Sequence, residues 1–299
     1  MARVHEISGF SFKNVPRVQR LTYPTLPRSL PLLYHAYRRK TRLKVEAVAI
    51  PLEYLLNRRN GMLRFVSRRE IARHFGFSER TRLVITGVAQ DQPLEDYWKF
   101  RRATRLPEQL AAIGPDLLTG PNFSTPLDTP KWENLYNMKR IPICWSELVA
   151  AGVPTSLHLN ACTDTDWERW TEFIVKRREV VSVAYEFATG PARRERGDWH
   201  TQRLVGLAKA VPRRLQLIVR GGFVHLEKLC HVFGEVVFVD STPFMKSINR
   251  QKCVKPFGGK MDWLASGTPK DHPIDSLLEH NVVAHGTVVS QASVKQLSF

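Results

Sequence analysis

The chain has 299 residues, 43% of them hydrophobic and 24% charged, a balance that supports a packed core and excludes a disordered chain. Lys and Arg total 45 against 28 Asp and Glu, a formal charge of +17, which favours a polyanionic partner, nucleic acid ahead of an anionic membrane. No run approaches ~18 apolar residues, the opening MARVHEISGF does not read as a signal peptide, and Cys144, Cys162, Cys230 and Cys253 form no CxxC pair. A membrane span, a disulfide scaffold and a zinc ribbon are therefore not expected, and a reducing, cytoplasmic setting is.

Residues 1–43 are basic, are punctuated by Pro16, Pro24, Pro27 and Pro31, and read as an N-terminal arm or irregular cap. Short β-branched apolar runs then alternate with amphipathic stretches. Val45–Pro51 precedes a helical candidate at 67–75, and Arg82–Val88 precedes one at 94–112. Asp116–Gly120 and Thr155–Ala161 follow, then a helix over 165–177 that Asp164 or Thr165 would cap. Val180–Phe187 leads to 199–211, where Leu204, Leu207, Ala208 and Val211 share one face. Leu215–Val219 and Val236–Asp240 complete the set. Continuous apolar runs of this length are how strands buried on both faces read. Their alternation with helices over ~240 residues predicts an α/β fold, a (β/α)8 TIM-type barrel rather than an open sheet. The barrel is placed at 44–252. A loop-rich C-terminal extension follows at 253–299, in which Val282–Val289 reads as a closing strand or a terminal hairpin.

Barrel chemistry sits at the C-terminal ends of strands. Those ends carry Asp91, Asn122 with Ser124, Asn160, Glu186 with Thr189 and Gly190, Arg220 with Gly221 and Gly222, and Asp240. Asp240 closes VVFVD just before Pro243. It reads either as an Asx turn or cap, or as a carboxylate facing inward, able to attack or stabilise a sugar C1. Arg220 suits phosphate or a neighbouring carboxylate, and the two glycines permit close backbone approach or simply a tight turn. Ser67–Thr81 has helix-turn-helix character, although the second helix would run into the strand-like LVIT. Basic clusters recur, and Arg38, Arg39, Lys40, Arg42, Arg193, Arg194, Arg196, Lys246 and Arg250 are the expected phosphate contacts. Trp132 and Trp145 are candidate base-stacking residues. No metal-ligand spacing and no nucleotide-binding glycine loop is present.

In this order the strand-end residues resemble the tRNA-guanine transglycosylase superfamily, including its bacterial and phage branch that inserts 7-deazaguanine into DNA. The resemblance runs over roughly residues 80–250. It rests on Leu215–Gly222, on Gly234–Pro243 with Asp240 at the nucleophile, and on Ala184–Gly190 as the base-contacting loop. Asn160 stands where the family carries a base-reading Gln and Asn122 where it carries Asp; Asp91 would help move a proton. The resemblance implies a barrel enzyme that exchanges a purine or deazapurine base in DNA or tRNA through an Asp nucleophile, DNA being favoured, with a homodimer allowed for. The Ser-Gly-Gly-Phe-Gln element is absent, and of the family's zinc ligands only Cys253 is present, so no cofactor is expected. Asn in place of Asp would change the base edge that is read, because an amide both donates and accepts. The chain also resembles phage and plasmid proteins that carry a Pro-Asn-Phe-Ser element, here Pro121–Ser124. The rival expectations are a non-catalytic phage or plasmid nucleic-acid-binding protein on a degenerate barrel, and a hydrolytic N-glycosidase.

Overall fold

The computed structural model describes residues 2–188, 194–254 and 261–293. Eight parallel strands make one sheet: β1 (Ser29–Pro31), β2 (Ala47–Pro51), β3 (Arg82–Thr86), β4 (Leu117–Thr119), β5 (Thr155–His158), β6 (Ser182–Glu186), β7 (Gln216–Arg220) and β8 (Glu235–Asp240). From β2 to β8 each strand pairs with the next, and β1 pairs with β8. A parallel bridge between Leu32 and Ala49 joins the end of β1 to β2 and completes the ring. This is the expected TIM-type barrel.

Eleven helices accompany the strands among the described residues: α1 (Ala2–Glu6), α2 (Leu52–Leu55), α3 (Arg68–Phe75), α4 (Asp91–Phe100), α5 (Leu106–Ile113), α6 (Lys131–Ala150), α7 (Asp164–Lys176), α8 (Arg194–Ala210), α9 (Leu226–Cys230), α10 (Thr242–Ile248) and α11 (Asp275–Ala292). An antiparallel hairpin, β9 (Gln251–Val254) with β10 (Asp262–Ala265), lies between α10 and α11. Local chemistry sets several boundaries. Ser67 caps α3, its hydroxyl accepting from the Glu70 amide, and Gly76 ends it at φ 67°. For α7 the cap is Thr163, one residue before the expected Asp164; Thr163 and Asp166 form a reciprocal capping box. The stretch 94–112 is two helices. Arg105 turns left-handed at φ 55° and Pro107 opens α5, so the amide ladder of α4 cannot continue through it.

Three further expectations change. The first strand lies inside the segment read as an arm. Val282–Val289 belongs to helix α11, whose buried Leu278, Asn281, His285, Val288 and Val289 keep helical spacing; the paired valines imitate a strand only in a short window. The helix-turn-helix reading ends at Gly76, because residues 78–81 turn directly into β3.

Strand alternation divides the core into two layers. Leu30, Leu32, Ala47, Ala49, Val84, Leu117, Ala184, Ile218, Val237 and Val239 fill the lumen. The alternate residues, among them Leu157, Tyr185, Val236 and Phe238, pack outward in the larger cluster shared with the helices. The N-terminal segment seals the lower end of the barrel, where the strands begin. Tyr23 donates to the Thr155 carbonyl at 2.8 Å, Gln216 donates to the Pro24 carbonyl at 3.0 Å, and the Leu26 amide donates to Glu235 at 2.8 Å. Ser156, Ser182 and Gln216 form a buried hydrogen-bonded chain just above. The strands finish at the opposite, C-terminal mouth of the barrel.

Candidate active site

Parity along the strands puts a polar layer at the mouth: Thr86, Thr119, His158, Glu186 and Arg220 follow the lumen-facing positions of their strands by two residues. Glu186 and Arg220 are direct partners in the β6–β7 register. Arg220 Nη1 lies 3.6 Å from Glu186 Oε2, and Nη2 lies 3.4 Å from the Tyr34 hydroxyl. Glu186 Oε1 accepts from the Ala188 amide at 2.7 Å, whereas its buried Oε2 has no hydrogen-bond partner among the described residues. An unmatched carboxyl oxygen in a dry site is costly unless a proton or a ligand satisfies it. Burial pushes the Glu186 carboxyl up to about 7, against the opposing pull of Arg220 and the Ala188 amide. Glu186 thus straddles its two protonation states near neutral pH, as a proton-transfer group must. Burial lowers His158 to about 3, so its ring is neutral and cannot serve as a cation there.

An aromatic rim borders Arg220. Tyr34 lies 5.7 Å, ring to ring, from Tyr54 and 5.8 Å from Phe244. His35 lies 5.0 Å from Phe244, edge to face. Tyr54 is 40% exposed, so one ring of this cluster is open to a stacking partner. Burial raises the neighbouring Glu53 carboxyl, while Arg220 and Arg58 pull it down.

Asp240 ends β8 as expected, but its side chain does not face the lumen. It shares the parity of Val236 and Phe238 and turns to α11. Its Oδ2 is 2.9 Å from His285 Nε2, and His285 Nδ1 is 3.2 Å from the Ser29 hydroxyl. Its Oδ1 accepts from the Thr242 amide at 2.9 Å and the Thr242 hydroxyl at 2.7 Å. Burial alone would raise Asp240, but the hydrogen bond and charge of His285, with the two bonds from Thr242, bring it below its ordinary value. The arrangement makes a fixed anion that holds α11 against β8 and β1. It also supplies the Asx-type cap that was the plainer reading of VVFVD.

The other expected site residues divide. Asp91 is exposed at the start of α4 and accepts from the Ser124 hydroxyl at 2.5 Å. Asn160 spends its amide on loop structure: Nδ2 donates to Asn122 Oδ1 and the Phe123 carbonyl, and Oδ1 accepts from Thr125. Asn122 and Asn160 are therefore brought together, as partners of each other. Gly221 and Gly222 both sit at φ 70°, and a Cβ on either would meet Ala188 or Phe187 at under 3 Å. These glycines let the β7 turn pass under the loop after β6. Thr189, Gly190 and Arg193 lie outside the described residues, as does the side chain of Arg194.

Among the expected phosphate contacts, Arg38, Lys40 and Arg42 are exposed. Arg39 instead donates to the Phe75 carbonyl beneath Gly76, and Arg250 donates to the carbonyls of Lys270 and His272 at 2.9 and 2.7 Å. Both are clamps within the fold. Arg196 donates to the Cys162 carbonyl at 3.0 Å, and Lys246 lies over the Trp263 ring. Trp145 is fully buried and donates to the Thr155 carbonyl, so it cannot stack a base; Trp132 is 48% exposed. Among the described residues no three His, Cys, Asp or Glu side chains converge to hold a metal, and no helix is long and apolar enough to cross a membrane.

The strand-end pattern pointed to Glu186 and Arg220 but did not rank them above Asp240. Tyr34, Tyr54 and Phe244 escaped it altogether. Their one sequence signal is aromatic residues just beyond strand ends, and the first of those strands was unread. No family model matches the sequence, and no curated protein matches it either.

Proposed function

We propose that this chain acts on N-glycosidic bonds of a nucleic acid at the barrel mouth, exchanging a purine-type base, with Glu186 as the proton-handling group. The observation that carries this reading is a buried carboxyl poised near 7, one oxygen without a hydrogen-bond partner among the described residues, beside a guanidinium at the barrel mouth. As the C1–N bond breaks, its electron pair stays with the base, and the Glu186 proton neutralises the departing nitrogen. The electron-poor C1 is captured by a nitrogen of the incoming base, whose proton returns to the Glu186 carboxylate. Arg220 steadies the charge left on Glu186 in between. A target base must leave its stack to reach the mouth, and the exposed face of Tyr54 offers it a platform. The +17 charge favours a polyanionic substrate.

One observation favours a second reading, hydrolysis. Both Asp240 oxygens are engaged and turned from the lumen, so the covalent sugar–Asp adduct has no evident nucleophile, and water could take the place of the incoming base. Incubation with single-stranded DNA or tRNA plus isotope-labelled guanine and 7-deazaguanine bases, followed by mass spectrometry of the nucleosides, separates the two. Base exchange puts label into the polymer. Hydrolysis gives abasic sites and free base without label. Intact, unlabelled polymer in every combination overturns the proposal.

A further inference from the structure

A cavity of about 450 Å³ opens between the segment around Phe12 and helix α7, and none of the mouth residues lines it. That volume is in the range of small-molecule sites. Its walls combine two chemistries. Phe12 and Phe173, with ring centroids 5.5 Å apart, give an apolar side, and Phe12 is backed by Trp170 at 4.8 Å. Lys13, Arg17, Arg169 and Lys176 stand around it, with the buried Arg177 behind, and Glu172 is the single acid in the lining.

The local charges do not cancel. Glu172 is taken by Lys176, and the buried Glu179 is shared by Arg17 and Arg177. Arg177 is further tied to the Val15 and Pro16 carbonyls, which makes it part of the scaffold. Lys13 and Arg169 have no acidic partner among the described residues, and both line the cavity. The excess extends behind the wall. Lys139 donates to the Ser11 carbonyl and to Asn14, and its ammonium is brought down to about 8 by burial and by Arg177. An anion in the cavity would relieve this crowding of positive charge, and the aromatic side would accept a flat ring next to it.

We infer that this cavity binds a purine nucleotide, its phosphate on Lys13 and Arg169 and its base against Phe12. The nucleotide could be free or one residue of a single strand; the chemistry recognised is the same. The inference is independent of the mouth, and its test does not read catalysis. Isothermal titration of the whole chain with GMP, with inorganic phosphate and with a short single-stranded DNA separates the sources. GMP is expected to bind at least ~10-fold more tightly than phosphate, since ring and phosphate both contribute. Arg169→Ala and Lys13→Ala, both at solvent-reached positions, should each weaken GMP ~5- to 10-fold with unchanged thermal unfolding. If only the DNA binds, and the two substitutions weaken it, the occupant is a strand. Absence of binding by both GMP and DNA, equal binding of GMP and phosphate, or binding indifferent to both substitutions overturns the inference.

Discussion

Glu186 carries the clearest physical signature at the scale of single residues. Its folded-state pKa near 7 lies above the ordinary carboxyl value of 4.5. The proton is therefore bound more tightly in the folded chain. Its contribution to stability is complete below about 4.5 and is lost as pH rises through 7. Its side chain is only 2% exposed, so solvent screening does little, and the span corresponds to roughly 3 kcal/mol at ~1.4 kcal/mol per pKa unit. Urea unfolding at pH 5 and pH 8 should show wild type losing a few kcal/mol more than Glu186→Gln over that interval. Equal losses would mean that the carboxyl is ionised throughout. Asp240 behaves in the opposite sense. Its pKa is depressed, so its stabilising effect is present above about 3.8 and fades as pH falls through the folded-state value. Asp240→Asn should cost about 2 kcal/mol at pH 7, the scale of a charge-assisted hydrogen bond, and much less in acid. A loss that does not shrink in acid would show that the carboxylate's charge is not what holds α11.

Elements show where sequence reading succeeds and where it stops. Seven of the eight barrel strands fall, to within one residue, inside apolar runs visible in the chain, because parallel strands buried on both faces are largely apolar. The same fact hides orientation. In VVFVD nothing distinguishes lumen-facing Val237 and Val239 from outward-facing Val236 and Phe238, so the direction of Asp240 could not be read. β1 was missed because three residues ending at Pro31, inside a basic proline-rich segment, carry no period. The long α6 was missed because Pro142 lies within it. The adjacent glycines were legible as a turn, and the structure adds what they avoid. Gly221 at φ 70° brings its position to 2.7 Å from the Ala188 amide nitrogen, so Gly221→Ala combines a left-handed backbone penalty with a clash on backbone. It should destabilise the fold by about 2 kcal/mol or more, measured by thermal or urea unfolding. Gly114→Ala, also left-handed but with open space around the added carbon, should cost only about 1 kcal/mol. Similar losses at the two positions would contradict the close approach.

For the whole molecule, the +17 charge was legible at once, but not the division of labour among its cations. Arg39 and Arg250 look like phosphate contacts in the sequence and serve as internal clamps, whereas Arg38, Lys40 and Arg42 stay at the surface. Exposed cations releasing counterions from a bound strand make affinity fall steeply with salt. Neutralising Arg38, Lys40 and Arg42 together should flatten the slope of log affinity against log salt for single-stranded DNA by ~2 to 3, with unfolding unchanged. An unaltered slope would place the footprint elsewhere on the barrel. The site itself was legible as a ring of polar strand ends. Which member matters was not, because that depends on burial and partners: a carboxylate is an anchor when both of its oxygens are held, as in Asp240, and an acid when one is buried without a partner among the described residues, as in Glu186.

The central claim is that Glu186, protonated in the barrel mouth, supplies the proton for N-glycosidic bond breaking. Its most direct test is the pH dependence of base release from single-stranded DNA or tRNA, measured by quantifying freed base for wild type and Glu186→Gln. The account predicts a wild-type rate that falls above about pH 7 as Glu186 ionises, and a Glu186→Gln rate lower by at least ~100-fold with that pH limb gone. A substituted protein that releases base at the wild-type rate, with the same pH profile, would contradict it.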